Sequence, residues 1–239
     1  MAQHSDTISC LAVLRDGRIV SGSWDNTVKL FNPQRGSVET IIRHKDWVTC
    51  LAVLPDGRIV SGSGDGTVQL YDPQGGRPET IIRHENWVIC VAVLPDGRIV
   101  SGGPDRMLQL WDPQGGPPET IIRYGDEGRA NCLAVLPDCR IVSGSRDGTV
   151  QLYDPQGGPP ETILEISSGV TGLCTLPNGR LVAVGGQEII VWDPKTRESL
   201  PGTSYEGIFC IAAGPGPNQI TCGTANGLLI LELSPWLWG

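Results

Sequence analysis

The chain has 239 residues, a net charge of −8, a pI near 4.9, 32 Gly, 19 Pro and 5% aromatic residues. An acidic total argues against a broad phosphate-binding face, and the basic run Arg43-His44-Lys45 is broken at once by Asp46, so nucleic acid is not an expected partner. No stretch of about 18 apolar residues occurs, which sets aside a membrane-spanning helix and a membrane partner of that kind.

The opening text MAQHSDTISC lacks the charged-then-apolar order of an export signal. Six units then follow in chain order, at about 4–43, 44–83, 84–123, 124–165, 166–203 and 204–239, read together as one domain over 1–239. In the second, VTCLAVL (48–54) is an apolar strand, and Pro55-Asp56-Gly57-Arg58 is a turn, because Asp-Gly supplies the positive φ of a tight hairpin. IVSGS (59–63) is the next strand, Asp65-Gly66 the next hairpin, and VQLYD (68–72) the third strand. Pro73-Gln74-Gly75-Gly76 turns the chain again before PETIIR (78–83). Hairpin upon hairpin without a helical period predicts an antiparallel meander. One such sheet cannot cover both of its faces, and a period near 40 is that of a blade stacked about an axis.

Eight cysteines bear on the compartment. Five of them, Cys10, Cys50, Cys90, Cys132 and Cys210, fall at the same place in successive units, which marks a repeated core residue rather than a disulfide frame. Free thiols without an export signal predict a reducing cytoplasm.

The third unit carries His84 before its first strand, Ser101 in its second, Asp105 in its second hairpin and Trp111 in its third. The second offers His44, Ser61, Asp65 and Tyr71; the first offers His4, Ser21, Asp25 and Phe31, and Phe31 has no donor. A neutral imidazole donates through one nitrogen and accepts through the other, so it can bridge a carboxylate and a hydroxyl. In this pattern the sequence resembles the WD-repeat (WD40) β-propellers, strongly over 4–163 and weakly over 164–233. The resemblance implies an all-β propeller of six four-stranded blades and a structural role for the polar set. A catalytic triad uses the same residue types, but recurrence in three blades beside a hairpin argues for structure.

The last two units drift. The fifth keeps Trp192 but is one residue short at the hairpin and lacks the Asp, and the sixth has Cys222, Asn226 and Glu232 at the Ser, Asp and Trp places. These blades are expected to be held by packing. Fourth strands are expected at about 38–43, 78–83, 118–123, 160–165 and 197–203, and the sixth blade is expected to be closed by 234–239 or left incomplete. A six-bladed ring, an open ring completed by a partner or second copy, and a piece of a longer product remain open, so a homo-oligomer is one expectation.

In propellers of this family the loops before the first strand and the second hairpin open on one face and commonly carry the contacts to bound peptides. The resemblance implies that use for Trp47, Trp87 and Arg129 before the first strands, for Thr49, Ile89 and Asn131 one residue into them, and for Trp24 and Arg146 before the hairpin Asp. Thr7, Ser9, Gly64 and Pro104 complete those positions. The near-identical units differ most at these places, and Trp and Arg dominate interface energies. The expected function is a non-catalytic scaffold for other proteins or peptides. A small-ligand or sugar-binding propeller and a self-assembling open ring are the alternatives. No phosphate loop, paired zinc-spaced cysteines or His cluster occurs, so no enzyme activity, cofactor or metal is expected.

Overall fold

The computed structural model describes residues 4–113, 116–124, 128–201, 208–213, 219–224 and 227–233. The described residues form strands and turns only, as six antiparallel blades of the β-propeller class. The contacts divide the chain into two compact units, 1–124 and 125–239.

The first unit holds three four-stranded meanders. Blade one is β1 (Ile8–Val13), β2 (Ile19–Ser23), β3 (Thr27–Asn32) and β4 (Ser37–Arg43), and blade two is β5 (Val48–Val53), β6 (Ile59–Ser63), β7 (Thr67–Tyr71) and β8 (Glu79–Arg83). Blade three is β9 (Cys90–Val93), β10 (Ile99–Gly102), β11 (Met107–Trp111) and β12 (Glu119–Arg123).

The second unit opens with blade four, β13 (Ala130–Val135), β14 (Ile141–Ser145), β15 (Thr149–Tyr153) and β16 (Glu161–Glu165). Blade five is β17 (Gly172–Thr175), β18 (Leu181–Gly185), β19 (Glu188–Trp192) and the short β20 (Ser199–Pro201). Blade six has three strands, β21 (Ile208–Ala213), β22 (Gln219–Thr224) and β23 (Gly227–Glu232); the proposed closing segment 234–239 lies outside the described residues.

Among the described residues, apolar cores lie between consecutive blades of one unit. Val20, Val28, Leu30 and Ile42 of blade one meet Val48 and Ile59 of blade two, and Val60, Val68, Leu70 and Ile82 of blade two meet Val88 and Ile99 of blade three. In the second unit Val142, Val150 and Leu164 pack with Val170, Leu181 and Trp192. Trp192 is 2% exposed, so packing anchors the drifted fifth blade. A polar device is present there too. Ser167 donates through Oγ to Glu188 Oε1 at 2.7 Å, and its N–H lies 3.3 Å from Oε2. Glu188 thus replaces the missing hairpin Asp from the first position of β19, with a longer side chain.

The first turn repeats one geometry in blades one, two, three and five, with Gly17, Gly57, Gly97 and Gly179 at φ between 84° and 92°. Blade four puts Cys139 there at φ 71°, where a Cβ crowds the backbone. Cys139→Gly is therefore expected to stabilise the chain by about 0.5–1 kcal/mol, part of the strain relief being offset by the freer unfolded glycine. A lower urea midpoint for the variant would contradict this.

Candidate functional site

The polar set is built where a blade's first loop meets its second hairpin. In blade three His84 Nδ1 lies 2.6 Å from Asp105 Oδ2 and Nε2 lies 2.8 Å from Ser101 Oγ. A carboxylate only accepts, so in a neutral ring Nδ1 carries the proton and Nε2 accepts the Ser101 hydroxyl. Blade one repeats this with His4, Asp25 and Ser21, at 2.9 and 2.8 Å. In blade two His44 keeps Ser61 at 2.7 Å, but Asp65 is 3.5 Å away and Thr67 Oγ1 stands 3.2 Å from Nδ1. Thr27 and Thr67 each donate to their own blade's Asp at 2.6 Å, and blade three, with Met107 at that place, has the shortest His–Asp contact. The threonine competes for the carboxylate.

Tyr71 and Trp111 do not join the set: among the described residues no hydrogen bond links either to it. Each ring packs against an apolar cluster between blades instead, Tyr71 against the one joining blades one and two, and Trp111 against the one joining blades two and three. Ser61 and Ser101 are fully buried and the His44 and His84 side chains show no exposure, so no substrate can reach the hydroxyls. In blades two and three the set holds the loops in place.

Burial pushes His44 below the ordinary histidine value of 6.5, against the pull of Asp65. Burial raises Asp25 and Asp65, but hydrogen bonds from Thr27, the Ser5 N–H and His4, and from Thr67 and the Lys45 N–H, outweigh it, so both lie below the usual 3.8. A folded pKa below the unfolded one means that the unfolded chain binds more protons as pH falls, so stability drops on acidification in both cases. Two stages are expected: a loss starting near pH 6.5 from His44 and a second below about pH 3.8 from the carboxylates. Urea midpoints from pH 8 to pH 3 test this, and His44→Gln should remove the first stage. A flat profile from pH 8 to 5 in the parent would refute it.

Backbone bonds set the second hairpin against the preceding loop in blades one, two and four. Trp24 N–H donates to the Thr7 carbonyl at 2.9 Å, Gly64 N–H to that of Trp47 at 2.8 Å, and Arg146 N–H to that of Arg129 at 3.3 Å. Each of the first three blades offers one tryptophan on these loops, Trp24, Trp47 and Trp87. Their rings meet: Trp24 stacks on Trp47 with centroids 5.1 Å apart and planes at 22°, and Trp47 lies 6.2 Å from Trp87 at 57°. All three are between 43% and 49% exposed. Blade four offers two arginines at its equivalent positions, with Arg146 exposed; Arg129 is partly buried, and its Nε has no hydrogen-bond partner among the described residues.

The positions one residue into the first strand are different in kind. Thr49 Oγ1 donates to the Val88 carbonyl at 2.5 Å, Ser9 Oγ to that of Val48 at 2.5 Å, and Asn131 Nδ2 to that of Val170 at 3.2 Å. Each sits in a β-bulge, between Ile8 and Cys10, Val48 and Cys50, or Ala130 and Cys132. A bulge re-aims a side chain, and here it aims one at the next blade. Thr49 and Asn131 thus use a polar atom to tie one blade to the next. Ile89, the apolar counterpart in blade three, is partly buried and has no such donor.

Burial pushes the Cys50 and Cys132 thiols up to about 12 and that of Cys10 to about 11, so these repeated cysteines are packing groups. Among the described residues no helix is long and apolar enough to cross a membrane. No curated protein matches the sequence. The family model for the WD domain, G-beta repeat, matches residues 1–32, 36–72, 76–112 and 119–154, more than half of the chain, and ends where the drifted blades begin. The first matched stretch covers β1–β3, and each later one covers the fourth strand of one blade and the first three of the next, so the chain belongs to the WD domain, G-beta repeat family.

Proposed function

We propose that the chain is a non-catalytic scaffold that holds a peptide or protein domain on the loops bearing Trp24, Trp47 and Trp87. One observation carries this reading: three half-exposed tryptophans from three consecutive blades form a continuous aromatic surface. Isolated exposed apolar residues need no explanation, but a contiguous patch of large rings marks an interaction site. Indoles also give large contact area at low entropic cost, which is why tryptophan dominates interface energies. The hydrogen-bonded loops beneath fix the rings before a partner arrives, which lowers the ordering cost of binding. The reading further takes 1–239 as one working domain in a reducing cytoplasm, in keeping with the free thiols of the described cysteines.

The test is affinity capture with the parent chain and with Trp24→Ala, Trp47→Ala and Trp87→Ala variants. Each replacement is expected to weaken capture about tenfold while leaving the circular dichroism spectrum unchanged, since these rings lie outside the cores. Arg146→Ala, in the second unit, is measured alongside. A triple tryptophan variant that retains every partner defeats the proposal.

A further inference from the structure

We infer that the tryptophan surface takes an arginine-bearing segment of a partner protein, an inference that rests on the scaffold reading above. Trp24 and Trp47 are already stacked at 5.1 Å, so nothing inserts between them and a ligand must lie across their outer faces. Trp47 and Trp87, inclined at 57°, offer a second, angled face. The indole face is the strongest cation–π acceptor among side chains. A guanidinium is flat and weakly hydrated, so it covers such a face without losing its in-plane donors.

Those donors find carboxylates on the same loops. Asp46 directly precedes Trp47; its Oδ1 accepts the Trp47 N–H at 2.8 Å, and its Oδ2 lies above Gly64, where even a Cβ would come within 3.0 Å. Asp6 is exposed and accepts the Thr7 N–H at 2.6 Å, and the Thr7 carbonyl in turn holds the Trp24 N–H. Glu85, exposed, stands two residues before Trp87. Against these three acids, residues 4–7, 44–47 and 84–87 hold a single Lys or Arg, the exposed Lys45. Trp47 and Trp87 thus each share a loop with an acid, and the Trp24 hairpin is bonded to the loop that carries Asp6. An arginine uses both at once, with its plane on the ring and its N–H groups on the carboxylate. A sugar or a proline-rich segment would use the rings alone, and a lysine would use the charge without the plane.

The experiment titrates the full chain into four labelled probes followed by anisotropy: a ten-residue Arg-Gly repeat, a Lys-Gly repeat of equal charge, a decaproline and a neutral oligosaccharide. The Arg-Gly peptide is expected to bind at least about fivefold more tightly than the Lys-Gly peptide. Trp24→Ala and Trp87→Ala should each weaken it about tenfold, and Asp46→Asn with Glu85→Gln should flatten its salt dependence. Trp47→Phe keeps a ring in the array and should lose less than Trp47→Ala, which separates loss of the aromatic face from loss of the fold. Equal binding of the two basic peptides, no binding of the Arg-Gly peptide, or preference for decaproline or the sugar would overturn the inference. If the tryptophan variants still shed partners in the capture assay, the scaffold reading survives that failure; if they shed none, both fall.

Discussion

Replacing His84 with Ala is expected to destabilise the chain by about 3–5 kcal/mol. His84 bridges Asp105 Oδ2 and Ser101 Oγ at 2.6 and 2.8 Å, and the imidazole has no exposure. Its removal strands two buried polar groups. An unsatisfied buried donor or acceptor costs about 1–3 kcal/mol, more for a charged group, and the space left by the ring adds a cavity term. Among the described residues Asp105 then keeps only the Met107 N–H, at 3.2 Å. Blade four supplies an internal control. Ser143 is fully buried at the position equivalent to Ser101, yet its Oγ has no hydrogen-bond partner among the described residues. Ser143→Ala should consequently shift stability by less than about 0.5 kcal/mol, or raise it, whereas Ser101→Ala should cost about 1–3 kcal/mol. Urea unfolding of the three variants decides the point. Equal losses for Ser101→Ala and Ser143→Ala would show that the bridge adds nothing and that only side-chain volume matters.

Blade architecture was legible because its signals are local. Asp-Gly turns, Pro-bearing connections and the Ser-Gly-Ser second strand mark hairpins within a few residues of one another, and four of the five expected fourth strands lie within about two residues of β4, β8, β12 and β16; the fifth is the shorter β20. The His–Ser–Asp bridge was legible for the same reason, since its members recur at fixed offsets. What resisted was anything fixed by a neighbouring blade. Thr49 differs between near-identical repeats, as a contact residue would, but its hydroxyl is bound to the Val88 carbonyl across the blade boundary. Trp111 was expected to donate to the polar set, and it packs instead against the apolar cluster between blades two and three. Glu188 escaped notice because it performs the hairpin Asp's task from a different position. The array of Trp24, Trp47 and Trp87 was visible as three candidate residues; that their rings touch required the loops to be placed.

Gly62→Ala should be nearly as costly as His84→Ala, at about 3 kcal/mol, and the cause lies between blades. A Cβ on Gly62 would stand 2.5 Å from Cys50 Sγ and 2.6 Å from Val88 Cγ1. Both atoms belong to packed side chains, one from the same blade and one from the next, so relief requires the blades to part. The same trio recurs as Gly22 with Cys10 and Val48, and as Gly144 with Cys132 and Val170. That recurrence explains the repeated Ser-Gly-Ser strand and the repeated cysteine together: each glycine is the socket for a thiol and for the first valine beyond it. Overpacking of this kind costs about 1–3 kcal/mol, and two overlaps at once place Gly62→Ala at the upper end. Removing one of the colliding groups should restore part of the loss. The double variant Gly62→Ala with Val88→Ala is expected to be more stable than the sum of the single losses by at least about 1 kcal/mol. Strict additivity would mean that the clash is absorbed elsewhere. Because Val88 directly follows Trp87, a blade pushed outward at Gly62 also displaces the third ring of the aromatic surface. Gly62→Ala should then weaken partner capture by more than its unfolded fraction accounts for, and Val88→Ala in the same chain should recover binding along with stability.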